Sequence, residues 1–359
     1  MAVCEAFARI AGLAPPVYAV WLENEDSFYR HSSNPALPYE LKPEFSRKLH
    51  TGFTSVNAHG MRDRERTLHK PADTRRILLL GDSVAEGIRV HSDEATVARK
   101  LENLIPGDTT EVLNLAVTGY NTLAEIELLR DKGLPFDPDI VVLLFVRNDF
   151  ENASLSPDSA VAAPPRPTWV KKLFVSSHLW RHLCLRFHLW EFGRENQAVA
   201  QSGITDQENN VVRGLRILRK LANEHDFQVL VAVWPEFNDN ALTDPHPVAN
   251  APEELIIERL AGTFGMPTTR LSPAFHHDWK KNHASKNPRL HYTSGGDGKH
   301  PLEHGSEIAA AALWAALKIL TARPPYPDGA PPPAIIRAAD AAGRKPQANI
   351  VEAPNPSNG

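Results

Sequence analysis

The sequence has few of the features that mark several common protein classes. Only two of its 359 residues are cysteine, Cys4 and Cys184, so it cannot carry a disulfide framework, and neither has the spacing of a zinc site. No apolar run reaches the roughly 18 residues that a transmembrane helix needs. The formal net charge of −4 lacks the basic excess typical of nucleic-acid-binding proteins, so no nucleic-acid partner is expected.

The N-terminus lacks the pattern of a secretory signal peptide. Its apolar part, "MAVCEAFARIAGLAPPVYAV", is interrupted by Glu5 and Arg9. We expect a short amphipathic helix that ends near Gly12, and the sequence as written predicts a cytoplasmic protein.

What the sequence does contain, from Arg76 onward, is an alternation of strand and helix patterns. The predicted strands are Ile77–Leu80, Val112–Leu115, Ile140–Val146, Phe227–Trp234 and Pro267–Leu271. The predicted helices are Thr96–Ile105, Thr122–Arg130 (with Thr122 and Glu125 spaced as a capping box), Val212–Ala222, Glu253–Phe264 and Glu303–Leu320. This alternation predicts an α/β fold in which a parallel sheet carries helices on both faces and binds ligands at the carboxyl ends of its strands.

The regions outside this alternation differ in composition. Residues 1–72 are irregular, the α/β domain is predicted to span 73–322, and residues 323–359 form a Pro- and Ala-rich tail that we expect to be disordered. Residues 151–208 form an insertion far longer than a usual connection. Its aromatic and basic part, residues 169–192, fits best an extra helix pair packed on the core, with a lid, a membrane-surface helix and a dimer contact as alternatives.

Ser83 ends the first predicted strand of the α/β region, in "RRILLLGDSVAEG". A serine in this position either caps the following helix or presents its hydroxyl for chemistry. A nucleophile needs a base and an orienting group, and "SGGDGKHPLEHG" offers His300 with Asp297 three residues before it. On that spacing alone, a turn residue and a surface histidine would be the better interpretation. The combination with a strand-ending serine favours a catalytic triad.

Two further residues that follow predicted strands have donors suited to an oxyanion. Gly119 in "LAVTGYNT" would offer its backbone N–H, and Asn148 in "LLFVRNDF" its side-chain amide. Taken alone, Gly119 is an ordinary turn glycine, and Asn148 with Asp149 is an Asx turn.

A metal hydrolase is an alternative, because one region is crowded with metal-ligating residue types. These are His276, His277, Asp278, His283, His291 and His304. The tight H-E-x-x-H spacing is absent, so we expect a solvated loop and assign neither a metal nor another cofactor. A nucleotide-binding domain is disfavoured because no Gly-rich phosphate loop follows the first strand.

Four of the motifs occur in the order in which the SGNH/GDSL hydrolase superfamily has them. "GDS" at 81–83, "AVTGYNT" at 116–122, "RND" at 147–149 and "DGKHP" at 297–301 resemble its four sequence blocks. "VNAHGMRDRE" at 56–65 is similar to an element of a bacterial subgroup, in which Asn-x-x-Gly-x-Arg precedes the GDS strand. The resemblance covers roughly residues 55–320.

This resemblance implies a flavodoxin-like three-layer αβα sandwich with a parallel sheet of about five strands. It implies that Ser83 is the nucleophile, His300 the base and Asp297 its orienting group. The oxyanion hole would be the Ser83 N–H, the Gly119 N–H and the Asn148 side chain. The expected reaction is hydrolysis of a small acyl ester, on a glycan or a lipid, through an acyl-serine. An O-acyltransferase with the same triad and a non-catalytic carbohydrate-binding scaffold are the alternatives.

Some features depart from the resemblance or leave questions open. Val146 stands where the third block usually has Gly, and Val84 and Glu86 replace the residues usual after GDS. We expect Glu86 to be a solvated helix residue, with a carboxylate at the mouth of the site as the alternative.

In the bacterial subgroup a membrane anchor often precedes a segment like "FARIAGL", so an extracytoplasmic, membrane-associated protein is the alternative location. The sequence leaves the oligomeric state open.

Overall fold

The computed structural model describes most of the predicted α/β domain and parts of the region before it. The described residues are 2–11, 13, 28–34, 36–37, 39–49, 52–107, 109–150, 167–191, 209–237, 248–249, 256–294 and 297–322. The predicted tail, 323–359, and the outer parts of the predicted insertion, 151–166 and 192–208, lie outside them.

A five-stranded parallel sheet forms the centre of the molecule. The strands along the chain are β1 (Tyr29–His31), β2 (Tyr39–Leu41), β3 (Ser46–Leu49), β4 (Gly52–Ser55), β5 (Arg75–Gly81), β6 (Thr110–Ala116), β7 (Ile140–Phe145), β8 (Gln228–Val233), β9 (Glu236–Phe237), β10 (Val248–Ala249) and β11 (Thr268–Arg270). The central sheet has the order β11-β8-β7-β5-β6, and every neighbouring pair in it is parallel. Counted along the chain this is the order 2-1-3-4-5, so the predicted flavodoxin-like fold is confirmed.

Helices cover both faces of this sheet. The helices of the described part of the chain are α1 (Ala2–Ile10), α2 (Ser83–Glu86), α3 (Val97–Leu104), α4 (Thr122–Leu128), α5 (Thr168–Ser176), α6 (His178–Phe187), α7 (Asn210–His225), α8 (Ile256–Thr263), α9 (Ser272–Asn282), α10 (Pro288–Tyr292) and α11 (Glu303–Thr321). Buried residues of α4, α7 and α8 pack on one face, and those of α3, α9 and α11 on the other. The arrangement is therefore three layers, with the sheet in the middle.

The strand β5 shows how the sequence produces this layering. Successive side chains of a strand point to opposite faces, so Leu78 and Leu80 join one core cluster while Ile77 and Leu79 join the other. A strand buried on both faces must be apolar throughout, which is why it is a continuous apolar run in the sequence. All five predicted strands are present, with bounds that differ from the prediction by at most two residues.

The start of α4 differs from the prediction. The predicted capping box of Thr122 and Glu125 is wrong, because Asn121 is the cap and its Oδ1 accepts the Ala124 N–H at 3.1 Å. Glu125 is fully buried instead. A side chain that turns into the core cannot reach back to the helix terminus.

Helices α5 and α6 lie within the predicted insertion and pack against each other around Val170, Phe174 and Cys184. The N-terminal helix α1 contacts α6, and Glu5 accepts the His178 N–H at 3.0 Å. The predicted short N-terminal helix is present and ends at Ile10. Within the described ranges, none of the helices has the length and apolar character to cross a bilayer.

Candidate active site

Ser83 lies at the carboxyl end of a central strand, where a parallel sheet opens to ligands. It is the first residue of α2, which begins directly after β5. The cap of this helix is Asp82, whose Oδ1 accepts the Val84 N–H at 2.9 Å, so the interpretation of Ser83 as the cap is wrong. The Ser83 Oγ instead lies 2.8 Å from His300 Nε2. Only 5 % of the surface of this serine is exposed.

His300 joins Ser83 to Asp297 through a chain of hydrogen bonds. The His300 Nδ1 lies 2.7 Å from Asp297 Oδ2. Burial alone would raise the pKa of Asp297, but hydrogen bonds from the Lys299 N–H and from His300 hold it below its ordinary value. An ionised Asp297 accepts a hydrogen bond from the Nδ1–H of His300, which leaves the Nε2 lone pair facing the Ser83 hydroxyl.

A closed loop presents Asp297 and His300. A β-bridge between Thr293 and Pro301 closes it, and the Ser294 N–H donates to the His300 carbonyl at 2.9 Å. Asp297 Oδ1 also accepts the backbone N–H of His300 at 2.9 Å. One carboxylate therefore holds both the ring and the backbone of the histidine, which fixes the two residues relative to each other.

Asp82 and Lys299 belong to the site, although neither is a candidate site residue from the sequence. Asn148 Nδ2 donates to Asp82 Oδ2 at 2.9 Å, and Lys299 Nζ donates to Asn148 Oδ1. Lys299 Nζ also lies 3.4 Å from Asp82 Oδ2. Both residues stand inside the quoted motifs "GDS" and "DGKHP", but an aspartate in a turn and a lysine in a loop carry no signal of their own. An amide nitrogen has two hydrogens, so Asn148 keeps one for a further acceptor.

Gly119 follows β6, the strand beside β5, and so lies at the same edge of the sheet as Ser83. Its φ of +80° is in the left-handed region that favours glycine. A Cβ at this position would lie 2.5 Å from the Tyr39 hydroxyl, which donates to the Thr118 carbonyl at 2.6 Å. The turn therefore requires glycine on two grounds, backbone conformation and space.

Glu86 is buried, contrary to both expectations from the sequence, with only 4 % exposure. Its carboxylate accepts the Thr118 N–H at 2.7 Å, the Thr118 hydroxyl at 2.8 Å and the Tyr29 hydroxyl at 3.0 Å. Burial raises the pKa of Glu86 above its ordinary value, although these hydrogen bonds oppose the rise. The side chain is neither solvated nor at the mouth of the site. It ties α2 to the turn that carries Gly119.

The third motif departs from the resemblance at Val146, which is buried at the end of β7. Its N–H donates to Asp149 Oδ2 at 2.9 Å, so this turn is closed by a side chain. The other oxygen of Asp149 and both carboxylate oxygens of Glu125 have no hydrogen-bond partner within the described part of the chain. Burial raises the pKa of both carboxyls well above the ordinary value, and the charges of Asp149 and Asp82 add to the rise at Glu125.

The segment "VNAHGMRDRE" contacts the end of α2, the helix that begins at Ser83. Arg62 Nε pairs with Asp93 Oδ1 at 2.8 Å. Its Nη1 donates to the Glu86 carbonyl at 3.3 Å and to the Gly87 carbonyl, at the end of α2. Asn57 Oδ1 accepts two backbone N–H groups of its own turn, each at 3.0 Å. This segment therefore positions α2 without contributing a reacting group.

A cavity of about 360 Å³ opens beside the triad. Asn148 and Asp297 form part of its lining. Its other charged side chains are Arg147, Glu236, Arg289 and Lys299, and its aromatic ones are Trp234 and Phe237. The lining thus combines charged side chains with apolar and aromatic ones, and Ser83 and His300 are not part of it.

The histidine-rich region is not the solvated loop that the sequence predicted. Asp278 lies on α9, His291 on α10 and His304 on α11, and His283 follows directly after α9. Each of these four residues has one donor atom within 4.8 Å of the others. The group is distinct from the hydrogen-bonded chain of Ser83, His300 and Asp297.

No protein-family model and no curated protein matches the sequence. Among solved structures, a GDSL-like protein from Parabacteroides merdae is 16% identical, with 71% of this chain and 100% of that chain covered and a TM-score of 0.40. A two-domain esterase active on acetylated mannans is 14% identical, with 71% and 52% covered and a TM-score of 0.42, so this chain spans about half of its length. A variant of an acetylxylan esterase from Geobacillus stearothermophilus is 16% identical, with 68% and 94% covered and a TM-score of 0.38. The sheet order 2-1-3-4-5 gives the chain a flavodoxin-like fold, and the motifs that resemble those of the SGNH/GDSL hydrolases meet at the carboxyl edge of this sheet.

Proposed function

We propose that the chain is a serine-dependent ester hydrolase in which Ser83 is the nucleophile. The observation that carries the proposal is the continuous chain of hydrogen bonds from Ser83 Oγ through His300 to Asp297, at 2.8 Å and 2.7 Å. A nucleophile, a base and an orienting carboxylate within hydrogen-bond reach are the geometric requirement for a Ser-His-Asp triad.

The reaction would proceed in two steps. Neutral His300 takes the proton of Ser83 while Oγ attacks the ester carbonyl carbon, and the Asp297 carboxylate stabilises the imidazolium. When the tetrahedral intermediate collapses, its C–O bond breaks and His300 returns the proton to the departing alcohol. Water, activated by the same histidine, then hydrolyses the acyl-serine and regenerates the hydroxyl.

The oxyanion of the intermediate would be held by the Ser83 N–H, the Gly119 N–H and the Asn148 amide. The orientation of Asn148 supports this role. Lys299 donates to its oxygen and Asp82 accepts from its nitrogen, so the amide is held with a defined N–H direction. A donor that is already oriented needs no reorganisation when charge develops in the transition state.

The proposed substrate is a small acyl ester on a polar alcohol, such as an O-acetyl group on a glycan. The cavity beside the triad supports this choice because Arg147, Glu236 and Arg289 line it. Such side chains form hydrogen bonds with sugar hydroxyls, whereas a long acyl chain requires an apolar groove.

The test combines covalent labelling with a chain-length series. The wild type, Ser83→Ala and the control Ser92→Ala are incubated with a fluorophosphonate probe and with p-nitrophenyl esters from acetate to decanoate. Ser92 is a suitable control because it stands at a helix start and makes no side-chain cap bond. We expect labelling in the wild type and the control only, the fastest turnover on acetate, and a loss of at least about 10³-fold in kcat for Ser83→Ala.

Different outcomes separate the alternatives. Folded wild type that neither binds the probe nor hydrolyses any ester contradicts the hydrolase proposal. If the folded wild type shows neither labelling nor hydrolysis and Ser83→Ala still binds glycan, the non-catalytic scaffold is supported. Faster turnover of long esters indicates a lipid substrate, and acyl transfer to an added alcohol in preference to water indicates the acyltransferase.

A further inference from the structure

The tertiary structure gathers four metal-ligating side chains that are scattered over 27 positions of the sequence, from Asp278 to His304. Their donor atoms all lie within 4.8 Å of one another. The His304 Nε2 is 3.1 Å from Asp278 Oδ2, and the His283 Nε2 is 3.8 Å from the same oxygen. The rings of His283 and His291 have centroids 4.1 Å apart. Three imidazoles therefore lie around the Asp278 carboxylate.

A second, independent observation points to a ligand at this place. The Nε2 atom of His291 is buried and has no hydrogen-bond partner within the described part of the chain. A buried polar atom without a partner costs free energy, and such atoms in a folded protein require an explanation. An ion bound between the four side chains would supply the missing partner.

The surroundings of the group resemble the outer shell of a metal site. The Tyr292 hydroxyl donates to Asp278 Oδ2 at 2.6 Å, and Asn282 Nδ2 donates to Asp278 Oδ1 at 2.8 Å. The Glu307 Oε2 lies 3.5 Å from His304 Nδ1, the ring nitrogen that does not face Asp278. Carboxylates and hydroxyls in these positions fix the orientation of metal ligands and the tautomer of a ligating histidine.

We propose that Asp278, His283, His291 and His304 bind one divalent transition-metal ion, with zinc as the best fit. Three imidazoles and one carboxylate are a donor set that Zn²⁺ accepts in tetrahedral coordination. Metal–ligand bonds of about 2.0–2.1 Å place tetrahedral donors roughly 3.3 Å apart. Donor atoms that lie within 4.8 Å of one another therefore need to approach by at most about 1.5 Å. Four protein ligands leave no open position, which is the pattern of a structural rather than a catalytic site.

The position of the ligands indicates a structural role for the ion at the loop between Thr293 and Pro301. His291 and His304 stand on the two arms that lead into and out of the loop between Thr293 and Pro301. A hydrogen bond of 2.8 Å from the Leu302 N–H to the Tyr292 carbonyl joins these arms. An ion held by both arms fastens the base of the loop that carries Asp297 and His300. The importance of this loop rests on the proposed esterase function, whereas metal binding does not.

The experiment uses the full chain without an affinity tag, stripped with a chelator. Zn²⁺ is titrated by calorimetry with elemental analysis, and Co²⁺ binding is followed by its visible absorption, which reports coordination geometry. The variants are His291→Ala and Asp278→Asn. The control is His277→Ala, which removes an exposed histidine of the same helix α9 that is outside the group of four.

We expect one metal ion per wild-type chain, a tetrahedral Co²⁺ spectrum, and a loss of affinity of at least about 100-fold in both variants but not in the control. Hydrogen exchange at residues 293–301 should slow when Zn²⁺ is added to the wild type. The absence of binding by the folded wild type, or equal binding by His291→Ala and the wild type, would overturn the site. Unchanged exchange in a chain that binds zinc would overturn the proposed role in the loop.

Should His291→Ala fail to fold, Asp278→Asn keeps the test decisive, because asparagine retains the shape of the side chain and removes its charge. All readouts are taken without substrate. A chain that hydrolyses no ester can therefore still confirm the metal site, and an active esterase can still refute it.

Discussion

At the scale of single residues, the candidate site depends on Asp297 as much as on the serine. The carboxylate accepts hydrogen bonds from the ring and the backbone of His300 and from the Lys299 N–H. Because these bonds lower the pKa of Asp297, it remains ionised at neutral pH and fixes the tautomer of the histidine. The hydroxyl of Ser83 is reactive only if that tautomer leaves Nε2 unprotonated.

Asp297→Asn should abolish the selection of the His300 tautomer while keeping the shape of the side chain at position 297. Asparagine can turn its oxygen or its nitrogen toward Nδ1, and the histidine then loses the charge that stabilises its protonated form. We expect kcat on p-nitrophenyl acetate to fall by about 10³–10⁴-fold. The melting temperature should change little, since Asp297 lies on a loop with a third of its side chain exposed. Activity within tenfold of the wild type would contradict the assignment.

Gly119→Ala tests the proposed oxyanion hole. The added methyl would meet the Tyr39 hydroxyl, and φ of +80° disfavours any residue with a Cβ by about 1–2 kcal/mol. We expect kcat/KM to fall by more than about tenfold, because the turn that carries the proposed donor N–H must move. The double variant Gly119→Ala/Tyr39→Phe removes the clashing hydroxyl and should recover part of the activity. If the double variant is no better than the single one, the steric explanation fails.

At the scale of secondary-structure elements, the short helix α2 could not be stable by itself. A helix of four residues has no propensity to form in isolation, so tertiary contacts must hold it. Glu86 binds it to the turn after β6, and Arg62 binds the carbonyls at its end. The nucleophile is therefore positioned by a segment that precedes the sheet in the sequence.

Arg62→Met should destabilise the protein strongly. The substitution removes the Arg62 guanidinium from two carbonyls at the end of α2 and from Asp93 Oδ1, at a cost of about 3 kcal/mol in the free energy of unfolding. Arg64→Ala, two positions along, is the matched control: its side chain is 51 % exposed and pairs with Glu102, so we expect a loss below about 1 kcal/mol. Urea denaturation measures both. Equal losses in the two variants would show that Arg62 does not brace the helix.

At the scale of the whole molecule, the layers enclose buried acidic groups whose ionisation opposes folding. Glu125 on α4 and Asp149 after β7 are both fully buried, and burial raises their pKa well above the ordinary value. A carboxyl of this kind keeps its proton to a higher pH in the folded chain than in the unfolded one. The contribution of Glu125 to folding stability is therefore greatest at low pH and falls as the pH rises above its ordinary pKa of 4.5.

Glu125→Gln should remove part of this pH dependence. The amide has nearly the same shape but carries no charge at any pH, so the variant gains stability relative to the wild type as the pH is raised from about 5 to about 8. Each unit by which folding raises the pKa corresponds to about 1.4 kcal/mol of that gain. Glu127→Gln on the same helix, where the carboxylate pairs with Arg130 at 2.8 Å, is the control and should show the slope of the wild type. Chemical denaturation at several pH values measures the free energy of unfolding of each protein. Parallel plots of this free energy against pH for Glu125→Gln and the wild type would refute the prediction.

The features that the sequence could predict are those that local patterns encode. Apolar runs such as "IVVLLFV" predicted the strands because a strand buried on both faces must be apolar at every position. The ordered motifs predicted that Ser83 would meet Asp297 and His300 across more than 200 positions, and these atoms are within hydrogen-bond distance. The predictions failed where a polar residue lies in the interior, as at Glu86 and Glu125, because a helical position does not reveal which way a carboxylate turns.

By itself, the sequence determined the α/β class, the five strands and the residues of the proposed triad. Only the tertiary structure decided that Asp82 and not Ser83 caps α2, and that Lys299 and Asp82 fix the amide of Asn148. It alone brought His283, His291 and His304 around Asp278, since their spacing in the sequence matches no metal motif. The physical reason is the same in each case: strand and helix patterns depend on neighbours along the chain, whereas hydrogen bonds and metal ligation depend on distances that exist only after the layers have packed.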